Sequence, residues 1–328
     1  MPKHESSAKA GPVSKGIHSR HFHRTIFSIP LTIILLALLT SNGIAASGSD
    51  GFAVATSFVP VFNTADFQGI FGGRDGKSLD LDRCAQIRSL EFIAMPGTAF
   101  RIEAVLENRA YPVYRVNTED YPYRSPKGLY IDGRLVKKTY SLPQRRFPKL
   151  PPRETVLRNL ISAQGSAYVW GGNRRTGIPE MLELYPVPPG FVPNRTAMDR
   201  WTLTGLDCSG LLYEATDGFT PRNTSSLVRY GDPVPIAGMD AEEITTRIKP
   251  LDLIVWNGHV MIALGGDRVI ESRLDCKGKN GGVIIRGLRE ALRELCGRRV
   301  PMNEYAENGR NSEKCFVVRR WYPEQTSR

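Results

Sequence analysis

Histidine is scarce in this chain. Among 328 residues there are five (His4, His18, His21, His23 and His259), and four of them precede a short apolar segment near the N-terminus. If that segment is removed during export, His259 is the one imidazole left. Cysteine is also sparse: Cys84, Cys208, Cys276, Cys296 and Cys315, with no CxxC pair. One imidazole and no CxxC argue against zinc, and neither a metal nor an organic cofactor is expected. No helix-turn-helix, zinc-finger or stacked-aromatic RNA motif is present, so nucleic acid is not an expected partner. No cysteine lies near residues 40–47, which argues against a lipid anchor there.

Acidic residues are the minority. The net charge is +11, but residues 1–46 hold five Lys/Arg and one Glu, leaving 39 basic and 32 acidic side chains and a charge of +7. Such a surface suits anionic cell-wall polymers, and equally nucleic acid or an anionic membrane, so charge alone decides little. The composition is that of an ordinary globular protein, long enough for two modest domains plus a targeting segment.

Residues 1–25 are basic, Ile26–Leu39 is apolar, and Thr40–Ser47 is rich in small residues. That order is the n-, h- and c-region of a secretory signal. The n-region is long, so an uncleaved anchor spanning residues 1–46 is the alternative, and the membrane is a partner only through it. An odd cysteine count in an exported chain leaves at least one thiol outside intrachain disulfides. If that thiol is Cys208, the other four allow three pairings. Three cysteines in the C-terminal third favour a local bridge among Cys276, Cys296 and Cys315; all four reduced is equally open.

Residues 47–83 show no clear period and read as an irregular lead-in. Over 84–140, Phe100–Leu106, Val113–Val116 and Gly128–Val136 are short, partly alternating runs punctuated by Pro and Gly, the marks of a small β-barrel. Residues 141–152 are Pro-rich and basic, a linker. Glu154–Ser166 has helical apolar spacing. The Pro/Arg-rich stretch between Gly172 and Leu206 reads either as a wall of a cleft or as a surface insertion. Residues 153–328 form the second domain.

Within that domain, Asp207-Cys208-Ser209-Gly210 stands immediately before an apolar helical run. The exposed N–H groups of a helix N-terminus favour thiolate over thiol. A buried structural cysteine is the competing reading. His259 follows Asn257-Gly258 between two apolar runs, a hairpin signal. A nucleophilic thiol needs a base to take its proton and an acid for the leaving amine, and one histidine does both; a satisfied core histidine is the competing reading. Asp207 and Ser209 are also favoured N-caps.

These segments resemble the NlpC/P60 family of papain-like, cell-wall cysteine peptidases. Tyr168-Val-Trp170-Gly-Gly172 is similar to its aromatic/Gly-Gly motif, Gly205–Leu211 to its nucleophile motif, Arg222–Ser226 to the segment that follows, and Lys249–Ile254 with Gly258–Val260 to the strands carrying its histidine. The resemblance covers roughly 155–290 in the family's order. It implies an α+β, papain-like fold with the Cys-bearing helix on an antiparallel sheet, preceded by an SH3-like β-barrel. It implies an exported hydrolase (periplasm, envelope or secreted) that cuts peptidoglycan stem peptides, or their released fragments, between γ-D-Glu and the diamino acid. Cys208 is then the nucleophile and His259 the proton shuttle. Glu271 stands where the family has a His, or less often Asn, Gln or Asp, to orient the imidazole. Substrate binding falls to Asp207 and Ser209, around a free α-amine, to Tyr168 near the oxyanion, to Trp170, and to Tyr121 or Tyr123 as a gating aromatic from the SH3-like domain. Two alternatives stand beside this: a wall-binding protein without activity, and an amidase or acyltransferase on the same fold.

Overall fold

The structure is a computed structural model that describes residues 51–106, 110–123, 125–277, 281–305 and 314–323. The signal or anchor read over 1–46 lies outside the described residues. Residues 47–328 group as one compact unit, a mixed α/β structure with two main sheets whose core strands are antiparallel. No helix among the described residues is long and apolar enough to cross a membrane.

The first sheet comprises β1 (Phe52–Ala55), β2 (Val59–Phe62), β3 (Leu90–Ala94), β4 (Ala99–Leu106), β5 (Val113–Asn117), β6 (Leu129–Asp132) and β7 (Val136–Thr139), with helix α1 (Phe67–Gly72) between β2 and β3. Its order is β3-β2-β6-β5-β4-β1-β7. The irregular lead-in expected over 47–83 is therefore corrected: β1 pairs with β4 and β7, and β2 with β3 and β6. The polar/apolar period is absent from β2 because all four of its residues are buried, and a strand covered on both faces shows no alternation. Val61 and Phe92 face inward with Phe100, Ile102 and Ile131. Their neighbours Phe62 and Ile93 point outward into a second core with Phe67, Phe71, Tyr185 and Trp201.

That second core joins the two halves of the unit. After α2 (Arg153–Ser162) and β8 (Asn173–Arg174), the Pro/Arg-rich stretch forms α3 (Met181–Leu184) and α4 (Arg195–Trp201), then β9 (Gly205–Leu206). Trp201 is fully buried and donates its indole N–H to Tyr185 O at 2.7 Å. The stretch is thus neither cleft wall nor surface insertion, but packing against the first sheet. Residues 141–152 have no regular structure, yet Arg146 fixes them by donating to Asp217 O (3.2 Å) and Gly218 O (3.3 Å) and by facing Asp120 at 3.5 Å.

The rest of the chain runs α5 (Cys208–Ala215), α6 (Thr224–Leu227), β10 (Asp232–Pro233), α7 (Ala241–Arg247), β11 (Leu253–Trp256), β12 (His259–Ala263), β13 (Arg268–Arg273), β14 (Gly282–Gly287), α8 (Leu288–Cys296), β15 (Val300–Pro301) and β16 (Cys315–Arg320). The sheet order is β10-β16-β11-β12-β13-β14, with β15 parallel to β16. The Asn257-Gly258 hairpin forms as read: Trp256 pairs with His259, and Gly258 takes φ +103°. Val255, Val260, Ile262 and Ile270 pack against α2 and α5. Ile254, Met261, Val269 and Phe316 pack against α7 and α8 on the other face.

Cys84 and Cys276 form a disulfide across 192 residues. The local C-terminal bridge is therefore corrected: neither Cys296 nor Cys315 joins a disulfide, and nor does Cys208.

Helix α5 lies close to the Tyr168–Gly172 segment because position 210 has no side chain. A Cβ at Gly210 would come within 2.0 Å of Gly172 O. Gly210→Ala is expected to destabilise the fold by about 1–3 kcal/mol or more, as overpacking against fixed backbone does. A urea unfolding midpoint unchanged from the wild type would contradict that contact.

Candidate functional site

The site begins with the cap of α5. Asp207 Oδ1 accepts from Gly210 N at 2.6 Å, and the Asp207 N–H donates to Gly172 O at 2.8 Å. This places Cys208 at the first helical position, where its N–H has no intrahelical acceptor and the dipole favours negative charge. Cys208 is buried, with 8 % of its surface exposed.

Strand alternation supplies the facing groups. His259, Glu271 and Arg273 share the sheet face of Met261 and Val269, the face covered by α8. His259 Nε2 lies 2.7 Å from Glu271 Oε2, and Glu271 Oε1 lies 2.9 Å from Arg286 Nε. Arg286 then donates to Glu294 on α8 at 2.6 Å. Cys208 and Glu271 both act on the imidazole, and each favours its charged form. Nε2 is the ring nitrogen that meets Glu271. The thiol also points at Gly258 O, 3.9 Å away.

Burial opposes charge on His259, but hydrogen bonds and charge from Cys208 and Glu271 outweigh it and hold the imidazolium to a pKa of about 9. Burial likewise pushes Glu271 up, and His259, Arg286 and Arg273 more than reverse this, so its carboxyl lies below the usual range. The two groups sustain each other's charged forms.

Beneath the helix cap is a second polar cluster. Arg222, buried with 3 % of its surface exposed, donates to Asp207 Oδ1 (3.0 Å) and Oδ2 (2.6 Å), Ser209 Oγ (2.9 Å), Asn173 Oδ1 (3.1 Å) and Gly172 O (3.3 Å). Asn173 in turn exchanges two 2.9 Å hydrogen bonds with the backbone of Ile93 on β3. Five acceptor contacts satisfy a guanidinium that burial would otherwise penalise.

The structure brings Cys208, His259 and Glu271 together. It places Tyr168 beside them, its phenol held protonated by burial and then by Asp207 and Cys208. Tyr168 and the half-exposed Trp170 line a cavity of about 470 Å3 that also borders His259, Trp256 and Glu271. The Trp170 N–H donates to Gln86 Oε1 at 2.9 Å, and the Arg88 guanidinium lies 4.2 Å over its ring. Asp207 and Ser209 both accept hydrogen bonds from Arg222. Tyr121 is not an exposed loop residue: it is 4 % exposed, stacked 4.2 Å from Phe92, and donates to Glu91 Oε2 at 3.0 Å. Tyr123 packs edge-on to Tyr121, and neither lines the cavity beside His259. Arg222, Asn173 and Arg286 went unread. Arg286 had a signal once β13 and β14 were paired: Ile284 stands opposite Glu271, which makes Arg286 its diagonal neighbour. Among the described residues no three His, Cys, Asp or Glu side chains converge on a metal position.

No protein-family model matches the chain, and no curated protein does. Among solved structures it is similar to NlpC/P60 proteins. A Bacillus cereus family member is 16 % identical, with 83 % of this chain and 63 % of that one covered and a TM-score of 0.31. The peptidoglycan hydrolase RipB of Mycobacterium tuberculosis is 22 % identical over 52 % of this chain and 65 % of its own, with a TM-score of 0.30. RipD of the same organism, described as non-catalytic and adapted to peptidoglycan binding, is 19 % identical over 41 % and 86 %, with a TM-score of 0.27. The chain thus spans somewhat less than two thirds of the length of the first two.

Arg222→Ala would leave Asp207 buried without its counter-charge. The expected loss is about 3–5 kcal/mol of folding stability, read by denaturant unfolding. A loss below about 1 kcal/mol, the value of an exposed pair, would show that Asp207 is adequately solvated without Arg222.

Proposed function

We propose that the chain is an exported cysteine peptidase of NlpC/P60 type that hydrolyses peptidoglycan stem peptides at the bond between γ-D-Glu and the diamino acid. The observation that carries the reading is the Cys208–His259–Glu271 arrangement at a helix N-terminus, opening beside a cavity. The antiparallel sheet under α5 supports the papain-like assignment, and the first sheet is the counterpart of an SH3-like module. The Cys84–Cys276 disulfide supports export to an oxidising compartment.

In the proposed reaction, Cys208 Sγ attacks the scissile carbonyl carbon and its proton resides on His259. The oxyanion faces the Cys208 N–H and the Tyr168 hydroxyl. His259 protonates the departing amine. Water then attacks the thioester, with His259 taking its proton, and returns the free carboxylate and the thiol. Glu271 holds the ring in place and stabilises the imidazolium, the role of the acidic member of a triad. Its other oxygen is ion-paired with Arg286, which favours the charged carboxylate.

The alkaline limb of kcat/KM is expected near the His259 pKa of about 9, where the imidazolium loses its proton. The same elevation gives folding stability that is full below the ordinary histidine value and is lost as pH rises through about 9. Glu271→Gln removes one source of the elevation, so the limb should move to lower pH. A limb that stays in place would show that Glu271 does not act on the ring.

Mass spectrometry of L-Ala-γ-D-Glu-diaminopimelate incubated with residues 47–328 tests the reaction. Release of L-Ala-γ-D-Glu by the wild type and not by Cys208→Ala is expected. If neither peptide nor whole peptidoglycan is cut while the protein sediments with the wall, a binding role replaces this reading.

A further inference from the structure

His259 gains and loses a proton in the proposed cycle, while its partner Glu271 stays buried throughout. Glu271 is 3 % exposed, so water does little to hold its charge, and a buried carboxylate without a counter-ion takes up a proton instead. While His259 is an imidazolium, 2.7 Å away, Glu271 has a counter-ion on that side. Once His259 has given its proton away, it has none there. The other cations acting on Glu271 are Arg286 on β14 and Arg273 on its own strand. Of these, Arg286 is in contact: its Nε lies 2.9 Å from Glu271 Oε1.

Arg286 is shared with α8, where its Nη1 meets Glu294 at 2.6 Å. Glu294 is 38 % exposed and faces Arg298 at 2.8 Å, so it has water and a second cation of its own. Glu290 on the same helix also acts on Arg286. On the far side of Glu271 stand His259 on β12 and, beyond it, Cys208. Glu271 Oε1 and Arg286 Nε are both buried, and among the described residues neither has a hydrogen-bond partner. What joins them is therefore charge at short range, not a directed bond. A guanidinium keeps its proton at every working pH, so this cation is constant where that of His259 is not.

Resting on the peptidase reading above, we infer that Arg286 is a positioning residue for the second half of the reaction: it is the standing counter-ion that keeps Glu271 ionised while His259 is neutral. That condition holds in the acyl-enzyme, after the amine has left with the proton of His259. Water then adds to the thioester carbonyl as His259 takes its proton, the carbon–sulfur bond breaks, and the proton passes to Sγ. An ionised Glu271 stabilises the imidazolium as it forms; a protonated one does not. In the first half the thiol proton already resides on His259, and Glu271 has its counter-ion there. Loss of Arg286 therefore slows deacylation more than acylation.

Two measurements on residues 47–328 test this. The first needs no turnover. His259 is the only histidine in that span, so in Cys208→Ala its ring proton reports two inflections with pH by NMR, its own and, at lower pH, that of Glu271. Arg286→Met should raise the lower inflection by about one to three pH units, the range for losing an opposite charge at contact, and Arg286→Lys by less. A lower inflection that stays in place overturns the proposal, whatever the peptide assay shows. The second is the time course of intact mass during turnover of L-Ala-γ-D-Glu-diaminopimelate. Arg286→Met should accumulate the L-Ala-γ-D-Glu thioester on Cys208 and lower kcat roughly tenfold, with Arg286→Lys closer to the wild type. A loss of kcat with no acyl-enzyme overturns the assignment to deacylation. Added to Glu271→Gln, which leaves no buried carboxylate to compensate, Arg286→Met should cost nothing further; a second tenfold loss shows that Arg286 does not act through Glu271. That comparison also serves if Arg286→Met alone fails to fold. If the wild type cuts no peptide while the inflection moves, the peptidase reading falls and the deacylation role with it, and Arg286 stands as the counter-ion of Glu271.

Discussion

The buried ion pair between Arg222 and Asp207 ties the nucleophile to the rest of the molecule. Asp207 caps the helix that begins with Cys208, so its orientation sets where the sulfur points. Arg222 holds that carboxylate with two nitrogens and reaches Asn173 with a third, and Asn173 is bonded on both sides to the backbone of β3. A single guanidinium thus connects the cap of the helix to the first sheet. Such a pair contributes little net stability over an apolar substitute. What it does supply is direction: five acceptors at fixed angles leave the cap one position.

On the other side of the sulfur the logic is a relay of charges. His259, Glu271, Arg286 and Glu294 alternate in sign from the sheet out to α8. Each group is held charged by its neighbours against the cost of burial. Glu271 is one methylene longer than an aspartate in the same place would be, and Arg286 is the local answer to that length. The third layer of the fold, α8, is therefore coupled electrostatically to the imidazole it never touches.

Glu271 was reached only through its match to the third polar position of the family the chain resembles. Cys208 and His259 were readable because each sits in a local pattern, a cap before an apolar helix and a two-residue Asn-Gly turn. The second sheet was readable for the same reason. The pieces that escaped are those whose meaning lies in distant partners. Arg222 meets a residue 15 positions away, Asn173 one 80 positions away and Cys84 one 192 positions away. No periodicity encodes such pairings. Strand β2 escaped because burial on both faces erases alternation, and the burial of Tyr121 because its partners Phe92 and Glu91 stand far back in the chain, on β3.

The disulfide has a mechanical consequence. The loop that carries Cys84 also carries Gln86, which takes the Trp170 N–H, and Arg88, which covers the Trp170 ring. Its partner Cys276 lies three residues beyond Arg273, on the opposite rim. The bond therefore works as a strap across the back of the jaw: it fixes the gape between the tryptophan rim and the arginine rim. With the strap cut, that span would rest on the apolar core that joins the two halves and on the Gln86 and Arg88 contacts to Trp170.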